Sequence, residues 1–100
     1  MRIYKVEEWQ SPTGMWHAGD QSDLAHDSNL WYIPARLLGL SLEEWILKLK
    51  NEFNATDFVF YPNANNGKSL LTYTWKNYAD CHRYVLWINK QARNNHWAFQ

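Results

Sequence analysis

The hydrophobic pattern of residues 76–93 has the period of an amphipathic helix. Its apolar stripe, spaced three and four residues apart, comprises Tyr78, Cys81, Val85, Ile88 and Ala92, and Tyr84 flanks it. This spacing predicts a core-facing helix surface. The opposite side combines cations with apolar side chains: Lys76, Arg83, Lys90, Ala79, Leu86 and Trp87. We expect either that another segment, such as residues 30–33, covers Leu86 and Trp87, or that they form a partner surface.

A second helix is predicted to begin after Ser41. Ser41 and Glu44 have the spacing of a capping box, in which each side chain bonds the other residue's backbone N–H. The apolar stripe that follows consists of Leu42, Trp45, Ile46, Leu49 and Phe53. Asn54 is suited to the left-handed conformation that ends many helices.

Alternating or short apolar runs predict strands over residues 2–9, 57–61 and 69–75. The last two flank Asn66-Gly67, a strong signal for a hairpin turn. We also expect a short return strand at residues 15–17, a polar loop at 18–29 and a possible final strand at 96–99. Residues 30–33 form a short strand or buried segment that Pro34 breaks, and one helical turn follows and ends at Gly39.

These elements predict an α+β fold in a single domain spanning residues 1–100. A small antiparallel sheet, made of the N-terminal strand and the hairpin, would carry two helices packed on one face. The chain has 100 residues, of which 46% are hydrophobic, including seven Trp and six Tyr. Such a core cannot hide all of these rings, so some are expected at an interface.

The sequence contains no long apolar run, no apolar leader and only one cysteine. These features predict a cytoplasmic protein that is not bound to membranes. Net charge is zero, but residues 1–57 hold five Lys/Arg against nine Asp/Glu, and residues 58–100 hold five against one. A zero net charge argues against strong non-specific binding to nucleic acid.

We find no pattern that predicts a catalytic site, a metal site or a cofactor, so an enzyme is not expected. Cys81 and His82 are helical neighbours that point about 100° apart, which does not suit a nucleophile and its base. Residues 17–27 contain His17, Asp20, Asp23, His26 and Asp27. Their spacing matches neither a calcium loop nor a zinc motif, which leaves a solvated loop.

Residues 35–45, ARLLGLSLEEW, resemble the core of a helix-turn-helix, which would imply DNA binding. Pro34 shortens the first helix of that pattern, and Glu43 and Glu44 would face the anionic DNA. The alternative is a simple turn between two core helices.

The strongest candidate site is the outer face of the last helix. It comprises Lys76, Arg83, Leu86, Trp87 and Lys90, and aromatic residues with cations are typical of protein-binding hot spots. The same composition suits base stacking with phosphate contacts, so a small nucleic-acid-binding module is the alternative. A homodimer contact is a further possibility. The loop acids Asp20, Asp23 and Asp27 are a candidate second, charge-based contact.

The runs WYIPARLLGLSLEEWILKLKNEFNAT and YTWKNYADCHRYVLWINKQAR resemble small uncharacterised proteins encoded by phages and prophages of Gram-positive bacteria. That resemblance implies a mobile-element origin and no catalytic residue. By analogy, it implies a stoichiometric inhibitor or modulator of a host protein or complex, including anti-CRISPR and other anti-defence roles. The protein would then act in the cytoplasm of the host bacterium.

Overall fold

The computed structural model describes residues 3–20, 30–64 and 68–98. The elements in this part of the chain are β1 (Val6–Gln10), β2 (Trp16–Asp20), α1 (Tyr32–Leu38), α2 (Leu42–Phe53), β3 (Thr56–Ala64), β4 (Lys68–Trp75) and α3 (Tyr78–Asn95). The strands form one antiparallel sheet in the order β1-β2-β4-β3. The predicted α+β class with an antiparallel sheet is confirmed; the return strand joins the predicted sheet, and a third helix accompanies the two that were predicted.

Strand β2 begins within the predicted return strand of residues 15–17 and continues through residues 18–20, where a loop was predicted. Ala18, Gly19 and Asp20 pair with β1 and are buried. The prediction of a loop there was wrong because small and acidic residues have low strand propensity, which pairing with β1 and burial override. The rest of the predicted loop, residues 21–29, lies outside the described residues. The predicted alternation holds from the segment before β1 into its first residue, since Tyr4 and Val6 are buried while Ile3 and Lys5 are exposed.

The extra helix is α1, and the prediction that Pro34 breaks this segment was wrong. Pro34 is the third residue of α1. The N–H groups in the first turn of a helix have no acceptor within the helix, so a proline there costs no hydrogen bond. Gly39 ends α1 as predicted, with a φ of 74° in the left-handed region.

Helix α2 has the predicted termini. The Glu44 N–H donates to Ser41 Oγ at 3.2 Å and the Ser41 N–H donates to Glu44 Oε1 at 3.0 Å, which completes the capping box. These hydrogen bonds to Ser41 lower the pKa of the Glu44 carboxyl. Asn54 closes the helix with a φ of 60°. Trp45, Leu49 and Phe53 of the predicted stripe are buried.

The β3–β4 pair confirms the predicted hairpin strands, although Asn66 and Gly67 lie outside the described residues. Strand β3 extends past Pro62 to Ala64 and contains two register irregularities, one on each side of residues 59–61. On β4 the alternation places Leu71, Tyr73 and Trp75 in the core, as predicted.

Helix α3 lies against β1, β2 and β4, and α2 packs on α3. It begins after the cap residue Asn77, two residues later than predicted, and ends at Asn95. The predicted stripe is correct except at its N-terminal end: Tyr78 is 43% exposed, whereas Tyr84 is fully buried and stacks on Trp75 at 5.2 Å between ring centroids. The possible final strand reduces to an isolated bridge between Ala98 and Ile3.

Candidate protein-binding surface

The predicted binding residues occupy two different environments on α3. Leu86 is 58% exposed, and Lys90 and Arg83 are also exposed. Lys76 is exposed as well, but it precedes the helix in the β4–α3 connection rather than lying on the helix as predicted. Leu86 is therefore the most exposed of the large apolar side chains on α3.

Trp87 is partly buried, and α2 is the element that covers it. Its ring centroid lies 5.2 Å from that of Phe53 and 6.3 Å from that of Trp45, both on α2. Lys48 Nζ lies 5.0 Å from the centroid of the Trp87 ring, within the range of a cation–π contact. Of the two alternatives, coverage by another segment therefore holds for Trp87, and the segment that covers it is α2. Leu86 is not covered in this way and is exposed.

Arg83 links α3 to the C-terminal end of α2. Its Nη1 donates to the Glu52 carbonyl oxygen at 2.8 Å, and its Nη2 is 3.0 Å from Asp80 Oδ1. The guanidinium also lies 5.2 Å from the centroid of the Phe53 ring. A cation at a helix C-terminus satisfies a free carbonyl and complements the helix dipole. Arg83 therefore has a structural role, and only part of its hydrogen-bonding capacity remains for a partner.

An open groove of about 370 Å³ lies on the outer side of α2. The residues that line it are Leu40, Glu44, Leu47, Lys48, Asn51 and Glu52. Lys48 contacts Trp87, and the Glu52 carbonyl binds Arg83, so the groove adjoins the α3 residues described above. Leu47 is 53% exposed beside it. We call this combined area the α2–α3 surface: the groove together with Arg83, Leu86, Trp87 and Lys90.

The charges of the α2–α3 surface are mixed. Lys48 forms an ion pair with Glu52 at 3.0 Å, and Arg83 forms one with Asp80. Glu44 lines the same groove. Both cations and carboxylates therefore lie beside the apolar side chains of this surface, as on the rim of a protein interface.

Of the three acids predicted to form a second contact, Asp20 is the one within the described residues. Asp20 is 3% exposed, and its carboxylate oxygen Oδ2 accepts a hydrogen bond from the Leu30 N–H at 2.6 Å. The prediction that Asp20 belongs to an exposed loop was wrong, because a buried carboxylate that binds backbone is not a surface contact. Asp23 and Asp27 lie outside the described residues.

Sequence analysis missed a polar and aromatic cluster between β1 and the start of α3. Glu8 Oε1 accepts a hydrogen bond from the Tyr78 hydroxyl at 3.0 Å and lies 3.1 Å from His82 Nδ1. The Tyr78 ring stacks on His82 at 5.3 Å and contacts Trp16 at 4.4 Å between centroids. Glu8 and His82 are far apart in the sequence, so only strand pairing and helix docking bring them together.

This cluster does not supply an activated nucleophile. The hydrogen bond to Glu8 raises the pKa of Tyr78, which keeps the phenol protonated. Burial, with a smaller effect from Glu8, raises the pKa of the neighbouring Cys81 thiol to about 12. Its Sγ lies 3.6 Å from the His17 carbonyl oxygen, and His82 Nδ1 is directed to Glu8. The thiolate is therefore disfavoured at neutral pH.

Within residues 3–20, 30–64 and 68–98, no group of three or more His, Cys, Asp or Glu side chains is arranged to hold a metal ion. None of the helices in this described part of the chain is long and apolar enough to cross a bilayer. No protein-family model, curated protein or solved structure matches this chain.

Proposed function

We propose that the protein is a non-enzymatic interaction module that binds another protein through the α2–α3 surface. The observation that carries the proposal is the exposure of two large aliphatic side chains, Leu86 and Leu47, on helices that pack together. Exposed apolar side chains next to a tryptophan and rimmed by charges are characteristic of binding sites for proteins.

The residues of this surface would have different roles. Leu86 and Leu47 would insert into the partner, because both are exposed and apolar. Trp87 would form the floor between α2 and α3, since the contacts with α2 and Lys48 hold its ring in place. A side chain that is already ordered loses little entropy on binding, which favours affinity. Lys90 would contribute to a charged rim.

The resemblance to phage and prophage proteins supports a more specific version of the proposal. In that version the partner is a protein or complex of a Gram-positive host, and binding inhibits or modulates it in the bacterial cytoplasm. An anti-CRISPR or other anti-defence role is one such activity by analogy.

The alternative is a small nucleic-acid-binding module that uses the same cations. It is favoured by the positions of Lys48 and Arg83, which each lie over an aromatic ring. Against it, both cations are already paired with carboxylates, and Glu44 lies in the groove. At the start of α2, Glu43 and Glu44 are exposed where a helix-turn-helix protein would meet DNA. Fluorescence anisotropy with labelled single- and double-stranded oligonucleotides would detect this activity as binding that falls steeply with salt.

Leu86→Asp is the variant that tests the protein-binding proposal. Leu86 is too exposed to matter for the core, so the fold should survive, whereas a carboxylate at a binding hot spot should weaken partner affinity by about 2 kcal/mol or more, roughly 30-fold. Leu37→Asp is the matched control, because Leu37 is an equally exposed leucine on α1 that does not line the groove.

The assay is capture from Gram-positive lysate followed by affinity measurement with the purified partner. We expect wild type and Leu37→Asp to bind alike and Leu86→Asp to bind poorly, with all three showing the same circular dichroism. Equal affinity for the two variants would reject the α2–α3 surface. Tight, salt-sensitive binding of oligonucleotides would place the alternative first.

A further inference from the structure

The two edges of the sheet differ in how their backbone groups are satisfied. At the β1 edge, the Asn89 side chain binds both backbone groups of Val6: the Val6 N–H donates to Oδ1 at 2.7 Å, and Nδ2 donates to the Val6 oxygen at 2.9 Å. The preceding strand segment is covered too, because the Tyr4 N–H donates to the Trp97 oxygen at 2.8 Å. The start of β1 is therefore closed to a further strand.

The β3 edge is open in the part of the chain that the structure describes, where no backbone hydrogen bond joins its outer side to another segment. Its central residues Val59, Phe60 and Tyr61 are 44%, 41% and 47% exposed. Residues 58–63 carry no charge. An exposed, apolar, uncharged edge strand is a template for pairing with another strand.

Aromatic side chains from the start of α1 adjoin this edge. The ring centroid of Trp31 lies 6.3 Å from that of Phe60 and 6.1 Å from that of Tyr32. A hydrogen bond from Trp31 Nε1 to Ser69 Oγ, 3.0 Å long, fixes the indole. The apolar surface therefore continues from the strand onto α1, which gives a partner more to cover than the strand alone.

We propose that β3 pairs antiparallel with β3 of a second copy of this chain, centred on Phe60, so that two sheets become continuous. The proposal is independent of the α2–α3 surface. In this register, Val59 of one copy faces Tyr61 of the other. No like charges meet, and the facing apolar and aromatic side chains stabilise the pair.

Features at both ends of the exposed run specify this register. Asp57 has a φ of 57°, and the pairing of β3 with β4 shifts between Thr56 and Val59. A second shift follows Tyr61, where Pro62 provides no N–H to a ladder. Regular pairing is confined to the short segment between them, so the strand has little freedom to slip.

Pairing through a two-fold axis uses the β3 edge of both copies, so the assembly closes at two copies unless β1 adds a strand. Such growth is disfavoured at the start of β1, where Asn89 occupies both backbone groups of Val6. Because the paired segment is short, the contact is smaller than a standard interface of about 1,600 Å² unless the α1 aromatics join it. We therefore expect a dimer with a dissociation constant in the micromolar range.

Sedimentation velocity of the full chain, from low micromolar to millimolar concentration, tests the proposal with two charge variants. Phe60→Lys and Phe60→Asp each place like charges opposite each other on the two-fold axis, so each should be monomeric at concentrations where wild type is dimeric. An equimolar mixture should dimerise again, because Lys then faces Asp. Leu86→Lys is the matched control on the α2–α3 surface and should dimerise like wild type.

Several outcomes would overturn the inference. One is a wild-type protein that stays monomeric at millimolar concentration. Another is a dimer that persists in both folded Phe60 variants, or a mixture that stays monomeric. If circular dichroism shows that the Phe60 variants do not fold, Val59→Lys, on a side chain of similar exposure, replaces them and must weaken the dimer. If Leu86→Lys is the one variant that loses the dimer, the two copies contact each other through the α2–α3 surface and not through β3.

Discussion

Asn89 should contribute more to stability than a partly exposed asparagine on a helix usually does. Its side chain takes the place of a neighbouring strand for β1, accepting from the Val6 N–H and donating to the Val6 carbonyl. Val6 is buried in the core. Asn89→Ala would leave both backbone groups without a protein partner at a site where water has limited access.

The expected cost follows from the two hydrogen bonds. A buried donor or acceptor left without a partner costs about 1–3 kcal/mol, and this site is partly buried, so we expect a loss of about 2–3 kcal/mol. The better helix propensity of alanine offsets about 0.5 kcal/mol of this. For a domain of this size the net effect corresponds to a fall in Tm of about 6–12 °C.

Equilibrium urea denaturation, followed by tryptophan fluorescence and by far-ultraviolet circular dichroism, measures this cost. Asn94→Ala is the matched control, since Asn94 is an exposed asparagine on the same helix and carries the same propensity gain. Asn89→Asp keeps an acceptor for the Val6 N–H but turns a carboxylate towards the Val6 carbonyl, so it should destabilise the protein too. If Asn89→Ala unfolds within about 0.5 kcal/mol of Asn94→Ala, the backbone of β1 does not depend on this side chain and the reasoning is refuted.

Two further predictions concern buried phenol and thiol groups. Tyr84→Phe removes one partner of the 2.7 Å hydrogen bond between the Tyr73 and Tyr84 hydroxyls in the core, and we expect a loss of about 1–2 kcal/mol in urea denaturation. Tyr61→Phe, at an exposed tyrosine, is its control, and equal stability of the two variants would contradict a role for this bond. Stability should also fall at alkaline pH, because burial raises the pKa of Cys81 from 9.0 to about 12 and also raises that of Tyr84. The unfolded chain loses these protons first, so stability is fully present below pH 9 and declines as pH rises from 9 towards 12; an unchanged urea midpoint between pH 8 and 11 would contradict this.

The sequence by itself determined the features that depend on neighbouring residues. Ser41 with Glu44, Gly39 and Asn54 set helix termini through local hydrogen bonds and through conformations that these residues favour. The alternation of β4 and most of the α3 stripe followed from period alone. These predictions held because they require no knowledge of the rest of the chain.

Tertiary structure decided everything that depends on what lies opposite a residue. Pairing with β1 turned residues 18–20 into a buried strand, although their composition indicated a loop. Packing of α2 covered Trp87 and left the preceding residue, Leu86, exposed, a difference that helical periodicity did not predict. The Glu8–His82 contact, the Asn89 closure of β1 and the open edge of β3 join or separate residues far apart in sequence. Strand order and helix docking create these features, and no local pattern in the sequence encodes them.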